Sequence, residues 1–175
     1  ITALLIAILA CGFAIVMNTQ MKLGERVQAV EDGFFTSVAG ERSIYSRLEE
    51  KLDAANGLWT VLEGVDSGTA QTLSDARSGL LTAYESRDIA AMYDANSELD
   101  KVYADAVKAL DGAELDENTQ SALDDYTTNY EGAQKMIEQN SYNSSVLEFM
   151  RSTFNKFPAS ELADFAGVEP PVSFE

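Results

Sequence analysis

Asp94, Asn96, Glu98 and Asp100 stand at alternate positions, the spacing with which a calcium loop presents its oxygen ligands. Leu99 occupies the place where an EF-hand needs its turn-forming glycine, and the surrounding pattern is helical, so these groups are expected to spread around a helix. Asp124-Asp125 is a carboxylate pair that could in principle do acid–base work. Adjacent residues point to different sides of a helix, however, which favours a solvated surface. The chain contains no histidine. That removes the usual general base and the commonest metal ligand, and with them Ser-His-Asp and Cys-His chemistry, imidazole-built zinc sites and the Glu-x-x-His pairs of di-iron bundles. No Gly-rich phosphate loop and no Gly-x-Ser-x-Gly elbow occurs. The expectation is a protein that is not an enzyme, with no catalytic residues, no cofactor and no metal.

Charge narrows the partners. The net charge is −17, from 12 basic against 29 acidic residues. Such a surface repels the phosphates of nucleic acid and anionic headgroups alike, so no nucleic acid is expected as a partner. The one cysteine, Cys11, lies in an apolar run, so the polar remainder can form no disulfide and no thiolate cluster.

The elements that carry these residues begin with that run. Ile1 to Met17 (ITALLIAILACGFAIVM) holds no charge, and at about 1.5 Å per residue it spans roughly 26 Å, close to a bilayer's hydrocarbon core. Residues 1–21 are therefore expected to be a transmembrane anchor and its exit, with the span extending upstream of Ile1. A lipoprotein signal is the rival reading, since Ile8-Leu9-Ala10-Cys11 partly resembles a lipobox, but Leu9 fits poorly and the run stays apolar through Met17. Ala3, Ala7, Ala10 and Ala14 form a small-residue stripe on one helix face, a pattern that lets helices approach closely in lipid. A homo-oligomer follows as an expectation. The body, beginning at Lys22 and Arg26, is expected on the extracytoplasmic side, as in a signal-anchor arrangement.

Past the anchor, Val27, Val30, Phe34, Val38, Tyr45, Leu48 and Leu52 recur at helical intervals. They predict one helix continuing to about Ala55, interrupted at Asn56-Gly57, with a further break between Gly64 and Gly68. A second helix is expected from about Thr69 to Ser86. A third should start at the N-cap Asp88 and reach about Leu110, and a fourth should run from about Asn118 to Lys156. All three prolines follow it. The fold class is all-α: a transmembrane helix continuing into an antiparallel bundle of about four long helices over residues 22–156. An irregular tail over residues 157–175 is expected to dock by burying Phe157, Leu162, Phe165, Val168 and Phe174, with Pro158 ending the fourth helix and Gly167 permitting a turn.

The C-terminal stretch SYNSSVLEFMRSTFNKFPASELADFAGVEPPVSFE, residues 141–175, resembles the LemA family of bacterial membrane proteins. Tyr142-Asn143, Val146, Phe149, Phe154, Phe157-Pro158, Ala163, Phe165, Gly167 and Phe174-Glu175 carry the likeness, and the N-terminal anchor extends it. Phe149-Met150 replaces a second Tyr-Asn pair, Pro158-Ala159-Ser160 replaces Pro-x-Asn, and Ser46 to Asp53 (SRLEEKLD) replaces a segment of the Asp-Leu-Ile-Pro-Asn-Leu type, which marks a divergent member. The resemblance implies a single-pass protein of the bacterial cell membrane, with a helical bundle and no established catalysis or cofactor. Tyr142 and Asn143 are read as closing the last helix by aromatic packing and a side-chain hydrogen bond. The leading functional expectation is a structural or assembly protein whose partners are the lipid bilayer, further copies of itself and an unidentified protein. The alternative is a membrane-tethered sensor or ligand-binding bundle.

Overall fold

The computed structural model describes the backbone of residues 2–37 and 40–175 and the side chains of residues 10–37 and 40–175. Among the described residues the chain is helical without strands. The helices are α1 (Thr2–Phe35), α2 (Ile44–Glu63), α3 (Ser67–Ser86), α4 (Ile89–Ala109), α5 (Glu117–Glu138), α6 (Tyr142–Phe149) and α7 (Ala159–Ala166), with a π-helical turn at Met150–Phe154. Two compact units form, one from residues 1–34 and 141–173, the other from residues 35–140 with Phe174 and Glu175. They interleave along the chain.

In the larger unit α2 to α5 make a four-helix bundle around Leu48, Leu58, Leu62, Leu73, Leu80 and Leu99, all fully buried. Pairings descend in register: Tyr45 stacks on Tyr84 with ring centroids 3.9 Å apart, and Arg77 Nε donates to Leu52 O at 3.0 Å, so α2 and α3 are antiparallel. Caps set the boundaries. The Asp66 side chain accepts from the backbone N–H groups of Gly68 and Thr69 at the start of α3, and Asp88 accepts from Ala91 N at 3.0 Å at the start of α4.

Three element boundaries differ from expectation. The first helix stops at Phe35; Gly40 then takes a left-handed φ of 87°, and Ser43 caps a new helix by accepting from Ser46 N at 3.1 Å. Val38, expected on the first helix, lies outside the described residues. Asn56-Gly57 does not interrupt α2, which continues to Glu63. Gly57 is there for packing, because a β-carbon at that position would run into the Tyr126 ring of α5. The expected fourth helix is divided after Glu138, where Gln139 and Asn140 end α5; the Asn140 amide donates to Arg42 O at 3.1 Å.

The smaller unit gathers α1, α6, the π-turn and α7 around Leu23, Phe154 and Ala163, with Val27, Phe149, Met150 and Val168 packed against them. Residues 159–166 are helical where an irregular tail was expected, and Gly167 closes α7 in the left-handed conformation at φ 64°. Pro158 stands at the start of α7. Phe157 and Phe165, expected to dock, are 82% and 76% exposed. The inward face of α7 is filled by Ala163 and Ala166, so Phe165, between them in sequence, points the other way. Leu162 and Val168 are half-buried.

Among the described residues no helix is long and apolar enough to cross a membrane. The transmembrane helix expected over residues 1–21 is accordingly not found there. Ile1 is outside the described residues, and the side chains of residues 2–9, including Ala3 and Ala7, are outside the described side chains. Ala10 and Ala14 lie on α1 and are exposed.

Candidate functional site

The core face of α2 repeats Ile44, Leu48, Leu52, Ala55 and Leu58, and Lys51 falls on that same face. The helix therefore drives an ammonium into the bundle, where it is fully buried. Three acceptors from two helices meet it. Nζ donates to Asn96 Oδ1 at 2.5 Å, to Asp100 Oδ1 at 2.5 Å and to Gln134 Oε1 at 2.6 Å, and it lies 4.7 Å from the centroid of the Tyr130 ring. These bonds match the three donors of an ammonium.

A second layer holds the acceptors in place. The Tyr130 hydroxyl donates to Asp100 Oδ1 at 2.8 Å, Asn96 Nδ2 to Asp100 Oδ2 at 3.2 Å, and Gln134 Nε2 to Glu138 Oε1 at 2.9 Å. Tyr130 also stacks on Tyr103 of α4, with centroids 3.6 Å apart. Asn96 and Asp100 are one helical turn apart on α4, so one face presents both. Burial pulls the Lys51 pKa below its ordinary value, opposed first by the Asp100 carboxylate and then by the charge of Glu138. Burial pushes the Tyr130 phenol up, reinforced by Asp100, and raises Tyr103 to about 12. The Tyr103 hydroxyl is buried and faces Thr127 without reaching hydrogen-bond geometry.

Beside this layer an open groove of about 840 Å³ runs between α4 and α5, with Asp100, Tyr103, Tyr130 and Gln134 on its inner side and Lys108 and Glu131 among its outer residues. Chemically the layer is a closed ion pair and not a nucleophile, because every donor of the amine is engaged. Among the described residues no group of three His, Cys, Asp or Glu side chains could hold a metal ion.

The residues singled out from sequence separate. Of the calcium-like series, Asp94 and Glu98 are exposed, whereas Asn96 and Asp100 turn inward onto Lys51. Asp124 and Asp125 are both exposed. In the smaller unit Tyr142 is buried, packs edge-on against Phe34 at 5.4 Å, and donates to Val172 O. Val172 N in turn donates to Glu31 Oε1 at 3.0 Å, so two side chains grip the tail backbone. Asn143 is half-buried. Phe174 is buried in the larger unit, edge-on to Tyr93 at 5.4 Å.

Lys51 went unnoticed in the sequence, although a signal existed: a lysine at a core position of an otherwise apolar stripe needs a buried acceptor somewhere. No family model matches the chain, and no curated protein and no solved structure matches it.

Proposed function

We propose that the chain is a non-catalytic assembly protein of the LemA type, anchored in a bacterial cell membrane by the first half of α1. Its helical body lies on the extracytoplasmic side, and copies associate through the face that carries Ala3, Ala7, Ala10 and Ala14. One observation carries this reading: the described part of the uncharged run is helical and bare, with Phe13 68%, Ile15 54% and Met21 58% exposed. A helix that shows such side chains to water needs an apolar medium around it or apolar partners beside it. The closed Lys51 layer supports a scaffold more than a reaction centre, since its amine has no free donor.

The test uses Cys11, which is exposed beside the alanine stripe. The chain should stay in membranes washed with alkaline carbonate, and mild oxidation should link copies through Cys11. Replacing Ala10 and Ala14 by leucine should abolish the cross-link while leaving the chain in the membrane. Release into the wash, or monomer alone after oxidation, would refute the proposal. The groove favours a second reading, a membrane-tethered ligand-binding bundle, because its volume falls in the ~300–1,000 Å³ range of small-molecule sites. A compound whose stabilising effect on the chain disappeared on changing groove-lining Glu131 and Lys108 would place that reading first.

A further inference from the structure

In the larger unit α5 packs mainly on α2 and α4 mainly on α3, so the side of the bundle between α4 and α5 is left to side chains. The groove of about 840 Å³ runs there, lined by Ala104, Val107 and the stacked rings of Tyr103 and Tyr130. It shares Asp100, Tyr130 and Gln134 with the Lys51 layer, and these groups already hold an alkylammonium from the bundle side. Acceptor capacity remains among them. An ionised carboxylate offers about four lone-pair sites, whereas Asp100 Oδ2 accepts only from Asn96, at 3.2 Å, and the Asp100 side chain stays 28% exposed.

Tyr103 is a second, independent indication. It lines the groove, is 4% exposed, and buries a hydroxyl that no group of the chain meets with a hydrogen bond. A buried hydroxyl in that state gains from a partner that enters beside it. Charge selects the partner. The carboxylates of the groove, Asp100, Glu131 and Glu138, outnumber its ammoniums, Lys108 and Lys135. Lys108 is bonded to Asp105 at 3.0 Å, outside the lining, and Lys135 forms an ion pair with neither Glu131 nor Glu138, which flank it on α5. Both glutamates reach inward: the charge of Glu131 helps to raise the Tyr103 phenol, and that of Glu138 favours the charged form of Lys51. Two helical turns separate them, roughly 10 Å along α5, so a chain with a cation at each end matches their spacing.

We propose that this groove binds a linear aliphatic polyamine, with its terminal ammonium groups taken by Glu131 and Glu138, the Tyr103 hydroxyl as a further acceptor, and the methylenes laid over Ala104 and Val107. The groove then repeats for a ligand what the bundle does for Lys51, surrounding an ammonium with carboxylate, neutral oxygen and aromatic ring. The inference rests on the ligand-binding reading of the groove and is independent of any anchoring of α1.

Isothermal titration calorimetry on the full chain in nonionic detergent tests it with three probes: spermidine, butylamine and glutarate. Spermidine should bind, butylamine should bind more weakly, and glutarate should not bind. Glu131→Gln should weaken spermidine by about tenfold, as for the loss of one charged hydrogen-bond partner. Lys135→Gln should tighten it by removing a competing cation, and Asp94→Asn, exposed on α4 outside the groove lining, should leave it unchanged. Tyr103→Phe should weaken binding without lowering the urea midpoint, because the hydroxyl it removes has no partner in the fold. Equal weakening by Asp94→Asn and Glu131→Gln would mean a polycation spread over an acidic surface and would overturn the site. Glutarate binding that Lys135→Gln abolished would overturn the polyamine and leave the groove as a site for another ligand. Silence from all three probes would overturn the inference, and the Glu131 and Lys108 variants would then decide separately whether the groove binds any ligand.

Discussion

The Lys51 layer and the outer face of α7 break opposite rules of burial. At the layer a charge lies inside an apolar bundle; on α7 and just before it, Phe165 and Phe157 lie in the open. The charge is matched donor for donor by Asn96, Asp100 and Gln134, so its environment is complete within the chain. The rings have no such completion, since Phe157 and Phe165 are mostly exposed. A violation that is satisfied internally reads as architecture, because removing any piece should damage the fold. A violation left unsatisfied reads as an invitation to something outside the chain, because removing it should cost the fold nothing.

The sharpest break of that contrast is Asp100→Ala. It strands the Lys51 ammonium without its counter-charge and should lower stability by about 3 kcal/mol, the low end for breaking a buried pair, since Asp100 keeps some contact with water. Lys51→Met should cost less, because an apolar side chain of similar length fills the space and Asp100 can turn toward solvent. Urea midpoints of the two variants decide the point; an Asp100→Ala loss no larger than that of Lys51→Met would show that the layer is not a coupled unit.

Alkaline pH probes the same layer next. Tyr130 and Tyr103 hold their protons in the fold above the ordinary value of 10.0, and Tyr84 does the same. As pH rises through 10.0 the unfolded chain releases tyrosine protons that the folded chain keeps, so stability falls with pH from there upward. Lys51 has the opposite sign: its folded pKa is lowered, so stability rises between that lowered value and 10.5, the ordinary lysine value. With four tyrosines raised, Tyr142 of the smaller unit included, against one lysine lowered, the urea midpoint should peak below pH 10.0 and decline above it. A midpoint still climbing beyond that value would mean that the phenols ionise freely in the fold.

The smallest effect belongs to the other region. Phe157→Ser with Phe165→Ser should leave stability within about 0.5 kcal/mol in water, as for surface changes away from packed features. A larger loss by thermal denaturation would show that the rings support the chain's own core and would erase the contrast.

Much of the helical frame was legible because short-range chemistry sets it. Asp88 announced the start of α4, and the acidic, glycine-bearing stretch from Gly64 to Gly68 announced the break before α3. The failures came where a distant contact outweighed a local signal. Gly57 looked like a helix stop, but the Tyr126 ring takes the space its missing side chain leaves. Phe165 looked like a docking residue, but the alanines of α7 are small enough to bring that helix in close and turn Phe165 out. The site was legible only in halves: Asn96 and Asp100 were noticed for the wrong cation, and Lys51 was overlooked.

By itself the sequence determined the all-helical class, through periodicity and caps that act within a few residues. Its lack of histidine likewise excluded imidazole chemistry, whatever the fold. Only the tertiary structure decided that α2 should deliver Lys51 to side chains 45 to 83 residues away. A buried charge is tolerable only where distant helices bring acceptors to it, and no local pattern specifies which helices those will be.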